Sequence, residues 1–398
     1  MKAQESHRIE KMTGTECRRL QALWQAVFSE DSAAFTEYYF AKKAHRNLGF
    51  AVYEERAEDK ELQAASVDHH YLAMLYLTPY QVMLKVRDIF FEYTLHYIVG
   101  VATRQEWRGQ GLMRTLLRTA LQEMHKKGEP FTFLMPADPA IYRPFGFHYI
   151  YDRPIWEYRD QAALPGSPAA RLQLISKREF DQLISYVNQK LTDQYQVFIK
   201  RDKEYYDILA AELKAQSGGI YISREEASGV ESGGQLNGYL LYARENDQPF
   251  IQEALWDEMD PVCYSGFPIS QRINHKPIIM ARIVDLAAMI ALMRTREGVV
   301  DIVIEILDYD ITANHGSWHL QIAADQAKAL KIPVSGSDQA VRAAVQADIG
   351  DFTAFLFGYK NVEESFCWRE GDTEKKRDIC RQLKQIVPLE KVFLNEVV

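Results

Sequence analysis

The sequence has little cysteine, and its four residues (Cys17, Cys263, Cys367 and Cys380) are scattered and form no C-x-x-C pair. That pattern argues against a disulfide scaffold and against a zinc site. No run of about 18 apolar residues occurs, so a membrane-spanning helix is not expected. The stretch from Met1 to Arg8 lacks the apolar core of a signal peptide, and the expected location is the cytoplasm. Positive charge is also short, with 47 Lys and Arg against 55 Asp and Glu, a formal net charge of −8. Such a balance disfavours a protein whose main task is binding nucleic acid. It suits a cationic ligand, although mild acidity by itself mainly aids solubility. Low-complexity segments are absent.

What is present is the composition of a soluble globular protein: 398 residues, 47% hydrophobic and 26% charged. That length implies two or three domains. Helical spacing of Leu20, Leu23, Trp24, Val27 and Phe28 predicts a helix over 15–28, and a second is expected over 33–45. Runs rich in Val, Ile, Tyr and Leu predict strands over 47–54, 70–80, 81–86 and 93–102. An amphipathic helix follows over 109–127, with Leu112, Leu116, Leu117, Ala120, Leu121 and Met124 inward. Strands over 131–135 and 148–158 close the first segment, an α+β layer of helices on a mostly antiparallel sheet. Leu164-Pro165-Gly166-Ser167-Pro168 is the best linker candidate. A second α+β segment then has helices over 177–191 and 203–216 and strands over 219–223, 235–243 and 249–255. A third begins near Pro277, with a strand over 279–284, a helix over 286–294, strands over 299–307 and 317–323 and a helix over 335–347.

The chemistry is concentrated in Val99 to Leu117, a strand that enters an Arg108-Gly109-Gln110-Gly111 turn and passes directly into a helix. Backbone N–H groups at a helix start, aided by the dipole, favour a phosphate. Gly109 and Gly111 let the backbone approach a ligand, and Arg108 can add charge-assisted hydrogen bonds. Val99 and Val101 can offer backbone groups to an amide-bearing pantetheine arm, as an added strand pairs with a sheet edge. The spacing fits neither the P-loop nor G-x-G-x-x-G. Alone, the turn is equally consistent with a strand–helix connection whose glycines serve packing.

With this stretch, the later Ile141-Tyr142-Arg143-Pro144-Phe145-Gly146-Phe147 resembles the two halves of the GNAT superfamily's acetyl-CoA motif. Together with Gly100-Val101-Ala102-Thr103, Ala281-Arg282-Ile283-Val284-Asp285-Leu286 and the terminal Phe393-Leu394-Asn395-Glu396-Val397-Val398, the chain is similar throughout to the enhanced-intracellular-survival (Eis) family. The resemblance implies a catalytic GNAT domain over 1–160, a degenerate GNAT-like domain over 161–276 and a sterol-carrier-protein-like domain over 277–398. It implies acetyl-CoA as cosubstrate without a metal, bound by Val99, Val101, Arg108, Gly109, Gln110, Gly111, Leu112 and Met113. The implied acceptor is a primary amine of the aminoglycoside, polyamine or lysine type, attacking directly through a tetrahedral intermediate. A hexamer is implied, with neither nucleic acid nor membrane as partner. One departure is Glu106, a carboxylate where the superfamily carries Gln or Arg; it is read as solvent-facing. Another is Met135, in a stretch where some members carry a His.

Tyr142 matches the family's general acid, since a phenol of pKa about 10 is protonated at neutral pH and can donate to a thiolate; the bland alternative is a buried aromatic. In the family the terminal α-carboxylate enters the active site, here that of Val398, to orient an ammonium group or a water. The alternative is that the apolar tail merely packs. The Val101 N–H is the natural oxyanion donor, and Asp138 and Glu396 are candidates to face the amine, alongside Glu30 and Asp31. Asp308-Tyr309-Asp310 lacks the glycine of a calcium loop, and His69-His70 lacks a third ligand. The aromatics Tyr71, Tyr76, Tyr80, Phe90, Phe91 and Tyr93 suit a pocket wall or, more often, a core. The rival function is a non-catalytic acyl-CoA- or lipid-binding protein that uses the C-terminal domain.

Overall fold

The computed structural model describes residues 7–54, 70–158, 172–224, 234–245, 248–257, 269–333, 343–369 and 373–396. The expected linker at 164–168 and the terminal Val397 and Val398 lie outside these. The first sheet contains β1 (His7–Thr13), β2 (Leu48–Glu54), β3 (Tyr71–Val86), β4 (Ile89–Thr103), β5 (Phe131–Leu134) and β6 (His148–Tyr158). β1 to β4 are antiparallel neighbours in chain order. The strands expected over 70–80 and 81–86 are one continuous strand through Pro79. On one flank β2 pairs with β3 only as far as Leu77, and Val197–Ile199 pairs with it from Val82 to Leu84. Pro79 falls in the interruption between them, where a missing N–H is tolerated.

β4 and β5 are parallel and pair at Tyr97 and Phe133 alone. Past that point the two strands part. The gap on the other side of β5 is filled by Ile269–Ile283, antiparallel to both β5 and β6. The expected domain boundary at 277 therefore falls inside a strand of the first sheet. Linear order suggested a new domain there, but the pairing of that strand with β5 goes back about 150 residues in sequence, which no local pattern encodes.

Four α-helices dress this sheet: α1 (Gln21–Val27), α2 (Ala33–Tyr38), α3 (Leu112–Lys126) and the one-turn α4 (Pro139–Tyr142). α3 buries Leu112, Leu116, Leu117, Ala120, Leu121 and Met124 against Leu72, Leu75 and Ile98 on one face. Trp24, Phe35 and Tyr39 cover the other face, with Trp24 stacked on Tyr39 at 4.3 Å. The helix expected over 15–28 opens as a 3-10 turn at Gly14–Leu20. The helix expected over 33–45 relaxes into a π turn at Tyr39–Lys43. Such a turn inserts a residue into the helical register, and Lys43 is buried within it.

In the second domain Phe180–Gln194 and Lys203–Ala215 are helices, with an antiparallel sheet of Gln248–Trp256, Leu236–Glu245, Gly219–Arg224 and Gln173–Leu174. In the third, Ala327–Lys331, Gly316–Ile322, Val300–Leu307, Val345–Asp348 and Cys367–Trp368 form a sheet accompanied by Leu286–Ala291, Ile349–Leu356 and Thr373–Leu383. Of the helix expected over 335–347, residues 335–342 lie outside the described residues, and Val345 starts a strand parallel to Ile304–Leu307. Ala-rich sequence favours a helix in isolation, but pairing and the alternate burial of Val345 and Ala347 decide otherwise. The chain finally returns to the first domain, where Val392–Phe393 pairs in parallel with Val197–Phe198. The overall class is the expected α+β, with three sheets among the described residues.

Candidate active site

The Arg108–Gly111 turn follows a short 3-10 segment, Gln105–Trp107, and leads into α3. Gly109 and Gly111 both have φ of 79°, and a Cβ at either would meet nothing within 4 Å. The glycines thus answer a backbone demand, since left-handed φ is costly for other residues. Gly111 is the N-cap and provides no side-chain bond. The first N–H groups of α3, from Leu112 and Met113 onward, point out of the helix start with no capping oxygen to take them. Arg108 is exposed beside them, its Nε donating to the Thr103 carbonyl at 3.3 Å. Glu106 is exposed on the 3-10 turn. The turn thus joins an exposed cation to a helix start without a side-chain cap, an arrangement that can attract an anion.

Upstream, β4 carries a bulge. Tyr76 pairs with Val99 and Met74 with Ala102, so Gly100 and Val101 face Leu75 alone. Gly100 adopts φ of 62°, and a Cβ there would come within 2.7 Å of the Trp24 ring. A bulge removes a residue from the ladder and turns the strand locally. It sits beside the opening between β4 and β5, with Val99 buried and Val101 half-buried. Backbone groups of Val99 and Val101 are thereby available at a strand edge.

Tyr142 ends α4 and is buried against Phe147, the ring centroids 6.0 Å apart. Burial alone pushes its phenol up to about 12. Asp138 caps α4, accepting from the Ala140 N–H at 2.8 Å, and is exposed. It lies outside the lining of the cavity described next, so the structure gives this substrate candidate a capping role. Asp31 accepts from Trp24 Nε1 at 2.7 Å, and burial raises its carboxyl above the usual range.

A cavity of about 190 Å³ opens where β3 lacks a partner, at Thr78–Gln81. Its other walls come from the start of the Lys203–Ala215 helix, Lys43 and Glu396. Glu212 within it accepts from the Tyr38 hydroxyl at 2.9 Å and Lys43 Nζ at 3.4 Å, all three buried. Glu396 accepts from Arg201 Nη1 at 2.8 Å and from the Tyr205 hydroxyl at 3.1 Å. Burial raises the Glu396 carboxyl and Arg201 pulls it back. The Arg201 guanidinium lies 4.1 Å from the Tyr205 ring centre and also pairs with Glu253 at 3.2 Å. Tyr97 links this region to the strand opening: its hydroxyl donates to the Glu396 carbonyl at 3.5 Å and accepts from the Met135 N–H at 3.3 Å.

Tyr97, Arg201, Tyr205, Glu212 and Glu253 carry no motif, and sequence reasoning missed them. One signal was available for Glu212. It follows Tyr205, Ile208 and Leu209 at helical spacing, on the face that became the cavity wall. Of the aromatics singled out, Tyr80 lines the cavity, Tyr71 and Tyr76 are core, and Phe90 is exposed.

In the third domain Ile302, Ile304, Leu320, Val345, Phe352 and Leu356 are buried in one continuous cluster.

Residues 8–150 match the acetyltransferase (GNAT) domain family and residues 286–395 the sterol carrier protein domain family. No curated protein matches the chain. Among solved structures it is similar to a probable N-acyltransferase from Enterococcus faecalis V583, at 18% identity and a TM-score of 0.68, covering 96% of this chain and 98% of that one. A GCN5-related N-acetyltransferase from Kribbella flavida shares 16% identity with a TM-score of 0.65 over 98% and 99% of the two chains. Eis1 from Mycobacterium abscessus shares 12% identity with a TM-score of 0.64 over 98% and 100%. The chain thus carries a GNAT acetyltransferase domain and a sterol carrier protein domain in an Eis-like whole-length fold.

Proposed function

We propose that this GNAT N-acetyltransferase moves the acetyl group of acetyl-CoA to a primary amine by direct attack, with Tyr142 as general acid. The observation that supports it most is that Tyr142 lies in one buried cluster with Ile98 of β4, Leu134 of β5 and Leu112 at the start of α3, with Val101 and Met113 packed against it. In this reading Arg108 and the amides of Gly109 to Met113, Gln110 among them, grip the pyrophosphate, while Val99 and Val101 pair with the pantetheine amides. The Val101 N–H stabilises the oxyanion as the amine nitrogen bonds to the carbonyl carbon. When the C–S bond breaks, the thiolate takes its proton from Tyr142. With its phenol near 12, Tyr142 remains a proton donor across the range in which amines become nucleophilic. The terminal carboxylate of Val398, two residues beyond Glu396, would orient the ammonium group or the water that takes its proton.

The cavity at Thr78–Gln81 is the acceptor site in this account. Its lining carries four carboxylates (Asp202, Glu204, Glu212 and Glu396) and three cations (Lys43, Arg46 and Lys200), one negative charge in excess. A volume near 190 Å³ and an apolar wall of Pro79, Ile199, Ile208 and Leu209 suit a slender alkyl amine, of polyamine or lysine type, better than a multi-ring aminoglycoside. No helix among the described residues is long and apolar enough to cross a membrane. A cytoplasmic hexamer that binds no nucleic acid completes the reading. Thiol release from acetyl-CoA with a panel of polyamines, lysine peptides and aminoglycosides tests it. Turnover is expected with the first two classes, and fastest turnover with aminoglycosides would refute the acceptor assignment.

A further inference from the structure

Arg282 is fully buried, and its partners join three parts of the chain. It lies on the Ile269–Ile283 strand, and its Nη1 donates to the Phe145 carbonyl at 2.5 Å, three residues after Tyr142. Its guanidinium also pairs with Asp308 at 2.5 Å and with Asp310 at 3.3 Å, both from the loop after Val300–Leu307 in the third domain. The other oxygen of Asp310 accepts from Arg118 Nε on α3 at 2.7 Å. Two guanidinium groups and two carboxylates therefore balance, and Asp308 is further satisfied by the Asp310 and Ile311 N–H groups and by Asn314. The same turn is pressed from behind by the Ile349 side chain against Gly146. Arg114, one helical turn before Arg118, lies 4.9 Å from the Phe145 ring centre.

We propose that the Arg118–Asp310–Arg282 chain is a positioning device that fixes the Tyr142 turn relative to α3, and that this is what the sterol-carrier-like domain contributes to catalysis. This rests on the reading of Tyr142 as general acid. The start of α3 grips one end of the acyl donor, and Tyr142 must meet the sulfur at the other end. The separation of grip and acid is then set by how rigidly α3 and the Pro139–Phe145 segment are joined. A charged chain anchored in a buried guanidinium resists sliding, because any displacement leaves Arg282 or Asp310 under-paired in a low-dielectric interior. Proton transfer is sensitive to such displacements, while phosphate binding at the helix start is not.

Arg118 is the accessible end of the chain, its side chain 43% exposed, so Arg118→Gln cuts the link while Arg282 stays paired and Asp310 keeps one of its two cations. With acetyl-CoA and the fastest amine of the panel above, Arg118→Gln is expected to lower kcat roughly ten-fold and to leave the KM for acetyl-CoA within about two-fold. Its thermal midpoint should fall less than that of Arg282→Gln, which leaves two buried carboxylates under-paired, and Arg118→Lys should recover part of kcat. In a Tyr142→Phe background the same substitution should have little further effect, because there is no acid left to position. A full ten-fold loss in that background, or a loss confined to KM or to stability, would overturn the positioning role while leaving the acid assignment intact. Full turnover by Tyr142→Phe alone would remove the acid assignment and the positioning role with it.

Discussion

Glu253 is the residue whose ionisation most directly couples the tail to pH. It is buried beside Arg201, Glu396 and Asn395. Burial pushes its carboxyl up from 4.5 to about 7; Arg201 lowers it and Glu396 raises it further. Above about pH 4.5 the unfolded chain has lost this proton while the folded chain keeps it, so the unfolded state binds fewer protons and stability falls as pH rises. The contribution is complete below 4.5 and gone once pH passes 7. Glu253→Gln mimics the protonated form, and its thermal midpoint should exceed that of the wild type by a margin that grows between about pH 5 and pH 8. A margin independent of pH would contradict the burial argument. Glu253 was illegible in the sequence because its meaning comes from partners 52 and 142 residues away. Tyr142 was legible because a tight turn compresses its environment into seven consecutive residues.

At the scale of elements, the Arg108–Gly111 turn owes its shape to two left-handed glycines rather than to close packing. Gly111→Ala should therefore cost about 1–2 kcal/mol of local conformational energy. The loss should appear as a raised KM for acetyl-CoA with kcat less affected; an unchanged KM would mean that the turn does not hold the donor. α3 itself was readable from its apolar stripe, and all six residues assigned to its inner face are buried. β3 was read as two strands divided after Tyr80, whereas it runs unbroken to Val86 along β4. On its other flank the gap between the partners Leu48–Tyr53 and Val197–Ile199 falls at the cavity that opens at Thr78–Gln81.

Across the whole molecule, the last residues of the chain bind the first domain to the second. Deleting 392–398 removes the strand paired to Val197–Phe198 and takes Glu396 from buried Arg201. It should lower the thermal midpoint by several degrees, as the loss of a buried partner costs about 3–5 kcal/mol. Deleting Val397 and Val398 alone moves the terminal carboxylate back to Glu396 and should reduce turnover; equal turnover would exclude a role for the carboxylate of Val398. This long-range return was visible in the sequence only through family resemblance, because an apolar tail does not reveal which surface it meets. The measurement that bears most directly on the account is steady-state thiol release by Tyr142→Phe beside the wild type. The prediction is a kcat lower by about 10²-fold or more with the KM for acetyl-CoA nearly unchanged, and a kcat equal to that of the wild type would contradict it.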